Sequence, residues 1–106
     1  MLAREHRLRS SDDIREVVKT GKRVSNSFAT IHYLPSEINQ FAVVTSKAVG
    51  NAVVRNLAKR RCRAVLFEFQ NSDPAIKAVL RLRPTVATAK WEDISIGVKQ
   101  LMGRAK

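Results

Sequence analysis

The chain has 106 residues, with 20 lysines and arginines against 9 acidic residues, a formal net charge of +11. Such an excess of positive charge points to a polyanionic partner, nucleic acid or an anionic membrane surface. No apolar run approaches the ~20 residues of a membrane span, residues 1–11 hold no apolar stretch that would serve as a signal peptide, and the single Cys62 can form neither an internal disulfide nor, without companion ligands, a zinc site. The expectation is a cytosolic protein with one domain over residues 1–106. Cys62 reads as a small core residue.

In chain order, Ser10-Ser11-Asp12-Asp13 marks a helix start, offering a capping oxygen and acidic charge at the positive end of the helix dipole. This helix is predicted to run to about Lys19, with Ile14, Val17 and Val18 on its apolar side and Gly21 as a left-handed terminating residue. Phe28 to Leu34 and Phe41 to Thr45 read as strands separated by a Pro35-Ser36-Glu37 turn region, and Val24 to Asn26 as either a short extra strand or a lead-in. Asn51 is the expected N-cap of a central helix from Ala52 to about Phe69, ended by Asn71-Ser72-Asp73-Pro74. Ile76 to Leu82 is an apolar strand carrying Lys77 and Arg81. Trp91 to Met102 closes as a helix with Ile94, Val98, Leu101 and Met102 on one side and Thr88 or a nearby residue as its expected cap. The ends, beyond about Ala3 and Met102, are expected to fray. The order is helix, two or three strands, helix, strand, helix, an α/β arrangement of the α+β sandwich kind.

The most informative stretch is residues 47–63, KAVGNAVVRNLAKRRCR, which carries six lysines and arginines and no acid. At about 100° per residue, Arg55, Lys59 and Arg63 form an i, i+4, i+8 stripe with Asn56 and Arg60 beside it. Val54, Ala58, Cys62, Val65 and Phe69 recur at helical spacing on what is expected to be the opposite, buried side. Arg61 falls toward the apolar side and must snorkel past the core edge or sit where a partner approaches. A merely solvated basic face would not need to exclude every acid across this stretch.

The order Gly50-Asn51-Ala52-Val53-Val54-Arg55-Asn56, followed by Lys59-Arg60 and Arg63, resembles the Arg-Asn-Arg helix of the protein component of bacterial ribonuclease P. The resemblance extends along nearly the whole chain through Arg7-Leu8-Arg9 before the first helix, the Gly21 turn, Ser46-Lys47 before the central helix and Arg83-Pro84 after the late strand. Leu57 departs from it, standing where many family members carry the second arginine.

The resemblance implies a ribosomal-protein-like fold with a left-handed βαβ crossover, where ordinary topology rules would give the right-handed one. It implies that the protein is the non-catalytic subunit of an endoribonuclease that removes the 5′ leader of precursor tRNA. Cleavage is then done by the RNA subunit, in 1:1 complex with the protein, with Mg²⁺ held mainly by RNA and no cofactor bound by the protein alone. Asn51, Arg55, Asn56, Lys59, Arg60 and Arg63 are the residues it implies for the catalytic RNA. Ile14, Arg15, Val18, Thr30, His32 and Lys47 are those for the precursor-tRNA leader, in a cleft between the first helix and the sheet. Ile14 and Val18 occupy positions often held by aromatics, and ordinary core packing is an equal reading for both; His32 is expected to gain charge below about pH 6.5 beside the leader.

From the residues themselves, no catalytic constellation stands out. His6 and His32 lie on different elements without a nucleophile motif, the carboxylates sit mostly at helix ends and faces, and Gly50 lacks the glycine-rich context of a nucleotide-triphosphate loop. A small ribosomal or general RNA-binding protein explains the charge equally well but does not require the Gly50-to-Arg63 signature. A DNA-binding regulator fits less well, because no helix precedes the basic one at helix-turn-helix spacing.

Overall fold

The computed structural model describes residues 4–106. After a 3₁₀ turn at Arg4–His6, the chain forms α1 (Ser11–Thr20), β1 (Lys22–Ser25), β2 (Ala29–Pro35) and β3 (Gln40–Val44). A second 3₁₀ turn (Lys47–Val49) leads into α2 (Ala52–Phe67), followed by β4 (Ile76–Leu82), a third 3₁₀ turn (Pro84–Ala87) and α3 (Trp91–Ala105). The strand left open in the sequence is real. Lys22 to Ser25 pairs antiparallel with β2, from Lys22 opposite Tyr33 to Ser25 opposite Thr30.

The four strands form one sheet in the order β1-β2-β4-β3. β2 and β4 are antiparallel, and β3 and β4 are parallel. Parallel neighbours need a crossover, and α2 supplies it. Period-2 alternation then divides the side chains between two faces. One face carries Ala29, Ile31, Phe41, Val43, Ala78 and Leu80 against Cys62, Val65 and Leu66 of α2 and Ile94, Val98, Leu101 and Met102 of α3. The other carries Val79 against Leu8 and Val17, with Ile14, Val18, Leu34, Ala42 and Val44 half-buried around them. β4 is therefore covered on both sides, and each fully buried aliphatic side chain contributes about 1.5–3 kcal/mol.

The caps follow the sequence in part. Ser10 Oγ accepts from the Asp13 amide at 3.4 Å and Asn51 Oδ1 from the Val54 amide at 3.0 Å. Thr88 does not cap α3: it ends the 3₁₀ turn begun by Pro84, and Lys90 occupies the N-cap without a side-chain bond. α2 stops at Phe67 rather than about Phe69, which lies in the following turn and still packs on the core.

Gly21 is not left-handed. Its φ of −75° and ψ of 164° are extended, and what demands glycine there is space, since an added Cβ would stand 2.5 Å from the Val17 carbonyl oxygen and 2.7 Å from that of Tyr33. The one positive φ among the described residues is at Gly50, 150°, immediately before the Asn51 cap.

The expectation for the segment up to Ala3 lies outside the described residues. The other end is held rather than frayed. α3 continues past Met102, and Lys106 Nζ donates to Asn39 Oδ1 and the Pro74 carbonyl, both at 2.6 Å, and to the Ser72 carbonyl at 3.2 Å. Asn39 is buried, donates to the Gln70 and Ser72 carbonyls and accepts from the Ile76 amide, tying the loop before β3 to the loop before β4.

The two causes of glycine preference can be separated by substitution. Gly21→Ala should lower stability by about 1–3 kcal/mol through backbone overlap despite an ordinary φ. Gly103→Ala, with nothing within 4 Å of the new Cβ, should raise it by about 0.5–1 kcal/mol through helix propensity. Thermal melts of the two variants check both signs, and a neutral Gly21→Ala would refute the close contact between the end of α1 and β2.

Candidate nucleic-acid interface

α2 is fixed by what it buries. Cys62, Val65 and Leu66 are inaccessible or nearly so, and burial pushes the Cys62 thiol up to about 12, so it is an inert core group. With that arc turned to the sheet, the basic stripe is not opposite the core, as the spacing suggested, but beside it. Arg55, Lys59 and Arg63 are half-buried along their stems, while Asn51, Asn56 and Arg60 are exposed. Leu66, absent from the expected apolar set, fills the gap between the stripe and the core arc.

This rotation brings the stripe against β3. Lys59 and Arg63 form one wall of a trough of about 420 Å³ whose floor is Ala42, Val43 and Val44 and whose other wall is Arg7, Leu8, Arg9 and Ile14. An adjoining recess of about 360 Å³ is bounded by Val43 to Thr45, Arg55, Asn56 and Lys59. Leu8 secures the far wall: its amide donates to the Phe41 carbonyl at 2.9 Å and its side chain is buried, so Arg7 and Arg9 are carried to the rim on either side of it. Asp12 pairs with Arg15 and Glu68 with Lys99, and His6 Nε2 lies 3.8 Å from Glu5 Oε1. Among the described residues no acid lies within 4 Å of Arg55, Lys59, Arg60 or Arg63.

The residues expected in the leader cleft are placed differently from one another. Ile14 lines the trough and Val18 packs beside Val17 and Val79. Thr30 lies on the same sheet face, its Oγ1 2.9 Å from Ser25 Oγ, in the cross-strand row Ser25, Thr30, Arg81, Val44. That row runs from the trough floor at Val44 across the sheet and includes exposed Arg81, in the sequence only a charge on an apolar strand. Its signal was parity with Val79, legible only once the face covered by α1 is known. Arg15 is exposed, 3.9 Å from Asp12 one turn earlier, and the structure does not bring it to the trough. Lys47 is exposed on the 3₁₀ turn between β3 and α2.

His32 is the main correction. It is only 4% exposed, in the row Arg23, His32, Val79, Ala42, and its Nε2 is buried without a hydrogen-bond partner. Burial, then the charges of Arg81 and Arg23, lower its pKa below the ordinary 6.5. It therefore does not gain charge near pH 6.5 as expected, but at a lower pH. Arg23 and Arg81, not His32, carry charge on this part of the sheet at neutral pH.

The sign of the consequence for folding is fixed. The unfolded chain takes up a proton near pH 6.5 while folded His32 stays neutral until its lower pKa is reached, so stability falls as pH drops through that window and levels off below it. Denaturation midpoints between pH 7.5 and 5 should show this slope in the wild type and a shallower one in His32→Gln. Identical slopes in the two proteins would show that His32 does not titrate differently on folding.

Comparison with known proteins agrees with this architecture. A sequence model of the family Ribonuclease P matches residues 2–106. The ribonuclease P protein component of Clavibacter michiganensis is 34% identical over 109 aligned positions, which cover 99% of this chain and 96% of that one. That of Syntrophomonas wolfei is 40% identical over 72 positions, covering 66% of this chain and 60% of the relative. In three dimensions the Staphylococcus aureus RNase P protein superposes with a TM-score of 0.88 at 21% identity, covering 95% of each chain. The Thermotoga maritima RNase P protein gives 0.81 at 20% identity, covering 92% of this chain and 96% of that one. With three helices on a four-stranded sheet, a basic central helix and a family match over almost its full length, the chain belongs to the ribonuclease P protein family.

Proposed function

We propose that this chain is the non-catalytic protein subunit of a bacterial ribonuclease P in the cytoplasm, paired 1:1 with the ribonuclease P RNA. In this reading it holds that RNA and the 5′ leader of precursor tRNA while the RNA carries out endonucleolytic removal of the leader. The observation that carries the reading is the continuous cationic surface formed by the exposed side of α2, its half-buried flank and the trough floored by β3, in which, among the described residues, no acid pairs with Arg55, Lys59, Arg60 or Arg63. Arginine and lysine heads held at the ends of packed stems suit a phosphate backbone, which binds by displacing counterions. Asn51, Asn56 and Arg60 face outward for the catalytic RNA. Ile14, Val18, Thr30 and the neighbouring Arg81 lie on the side proposed for the leader, with Lys47 and Arg15 contributing only long-range charge.

Among the described residues no three His, Cys, Asp or Glu side chains converge on a metal position, and no helix is long and apolar enough to cross a membrane. In the proposed assembly Mg²⁺ is held mainly by RNA and supplies the charge stabilisation for phosphodiester cleavage. The contribution of this chain is to position RNA and to offset its charge.

Reconstitution tests the proposal directly. Adding the purified chain to bacterial ribonuclease P RNA at low Mg²⁺ should restore precursor-tRNA cleavage, and an inactive mixture despite RNA binding would leave only a general RNA-binding protein. If roughly five phosphates are neutralised, log affinity should fall against log salt with a slope of about −3.5 to −4.5. Arg60→Ala should weaken RNA binding and leave the melting temperature unchanged. Val65→Ala, at a buried site, should cost about 1–3 kcal/mol of stability with binding by the folded fraction retained.

Ile14 tests the trough. A ring at this position would give a leader base a stacking face, worth roughly 1 kcal/mol or more. Ile14→Phe should therefore raise the holoenzyme's preference for precursor over mature tRNA about fivefold, while an unchanged ratio would place the leader elsewhere.

A further inference from the structure

One apolar groove lies outside the trough and its cations. It has a volume of about 190 Å³ and runs between α2 and the segment that leads into α3, with Leu57, Ala58 and Cys62 on one side and Val86, Ala89 and Trp91 on the other. Arg61 lies at this groove, its guanidinium carbon 5.6 Å from the centroid of the Trp91 ring. This contact answers the question the sequence left about Arg61: its guanidinium sits over an aromatic face at the edge of the groove, within cation–π range.

The groove is continuous with the basic surface. Leu57 also bounds the open recess formed by Val53, Asn56, Lys59, Arg60 and Arg63 on the outer side of α2, so a single leucine separates an apolar slot from a field of cations. A hydrocarbon would gain nothing from the charge, and a phosphate alone would gain nothing from the apolar walls. A nucleotide answers both, with a flat ring for the slot and an adjacent anion for the rim. The ring must be unpaired, because a duplex buries the faces of its bases in its own stack.

We propose that this groove receives an unstacked nucleobase of the RNA bound along α2, lying against the Arg61 guanidinium over Trp91 with Leu57 as its apolar wall. The inference rests on the RNA-binding reading above and adds a site to it. It also gives Leu57 a role, since an arginine at this position would extend the cationic field into the slot, whereas leucine keeps the wall apolar and favours a base over a second phosphate.

Trp91 is the only tryptophan in the chain and reports on the groove. Emission and affinity should be measured at fixed salt for the wild type, Arg61→Lys and Arg61→Ala, with folded bacterial ribonuclease P RNA and with a fully paired RNA of equal length. The wild type should show Trp91 quenching on binding ribonuclease P RNA but not the duplex. Arg61→Lys keeps the charge but loses the plane, so its affinity for ribonuclease P RNA should fall about fivefold or more with the salt slope unchanged. Its affinity for the duplex should match that of the wild type. Arg61→Ala should lose further affinity and reduce the slope by about one phosphate. Melting curves and the free-state emission maximum establish that the variants are folded. Wild-type affinity in Arg61→Lys, an equal loss on the duplex, or unchanged Trp91 emission in the complex would overturn the proposal while leaving RNA binding by α2 intact. Quenching by an acidic aromatic peptide but not by RNA would assign the groove to a protein partner instead. Failure of the wild type to bind ribonuclease P RNA at all would overturn both readings.

Discussion

The parallel pairing of β3 with β4 is the constraint on which the basic surface depends. Two strands running the same way cannot be joined by a tight turn, so the chain between Val44 and Ile76 must return along the sheet, and α2 is that return. Once Cys62, Val65 and Leu66 are committed to the sheet, the rotation of α2 about its own axis is fixed, and with it the direction of every cation. β3 is the last strand of the sheet, and its outer edge is met by the N-terminal segment, where the Leu8 amide donates to the Phe41 carbonyl and Gln40 Nε2 to the Glu5 carbonyl. The flank of α2 and the open end of β3 therefore enclose a trough rather than a filled core.

The cations along this trough repel one another, and the free protein must tolerate that. Half-burial resolves the conflict. The stems of Arg55, Lys59 and Arg63 cover apolar surface that would otherwise be wet, with the Nε of Arg55 itself buried, and repulsion between cations at the open rim is weak and screened by salt over about 8–10 Å. Acids interleaved among them would add little stability at an exposed surface and would cancel the field. Away from the trough, Arg15 pairs with Asp12 on the outer side of α1 and Lys99 with Glu68 between the end of α2 and α3.

Local signals in the sequence were read well where local forces decide. Asn51 caps α2 and Ser10 caps α1 because a side-chain oxygen three residues before a free amide needs no tertiary help. The order of elements followed from periodicity, and the family signature around Arg55 located the basic helix. What was missed belongs to non-local geometry. The spacing of Arg55, Lys59 and Arg63 fixes their mutual alignment but not their angle to the core, which depended on Leu66 joining the buried arc. Strand parity placed Thr30 and His32 on one face, yet whether that face is open at each position depends on how far α1 reaches across it: His32 is covered and Thr30 less so. Arg81 reaches the same row as Thr30 only through the β2–β4 register, a pairing of residues far apart in the chain. Gly21 was rightly marked as special, but for its conformation, when the reason is the approach of two carbonyls.

The structure also changes the relation between the two proposed RNA contacts. The sequence reading gave α2 to the catalytic RNA and the α1–sheet cleft to the leader, as though they were separate surfaces. Lys59 and Arg63 stand in both, on the stripe of α2 and on the wall facing Ile14 across Ala42 and Val44. On the proposed reading, an RNA strand on α2 and a leader in the trough draw on the same side chains. Binding of the first partly neutralises the wall that attracts the second, which weakens it, and at the same time restricts the long lysine and arginine stems, which lowers the ordering cost of the second contact. The balance is set by how many trough cations remain unshared. Arg9 on the opposite rim, carried there by buried Leu8, and Arg81 on the sheet are those cations, so on the proposed reading the leader side keeps a positive field of its own after α2 is occupied.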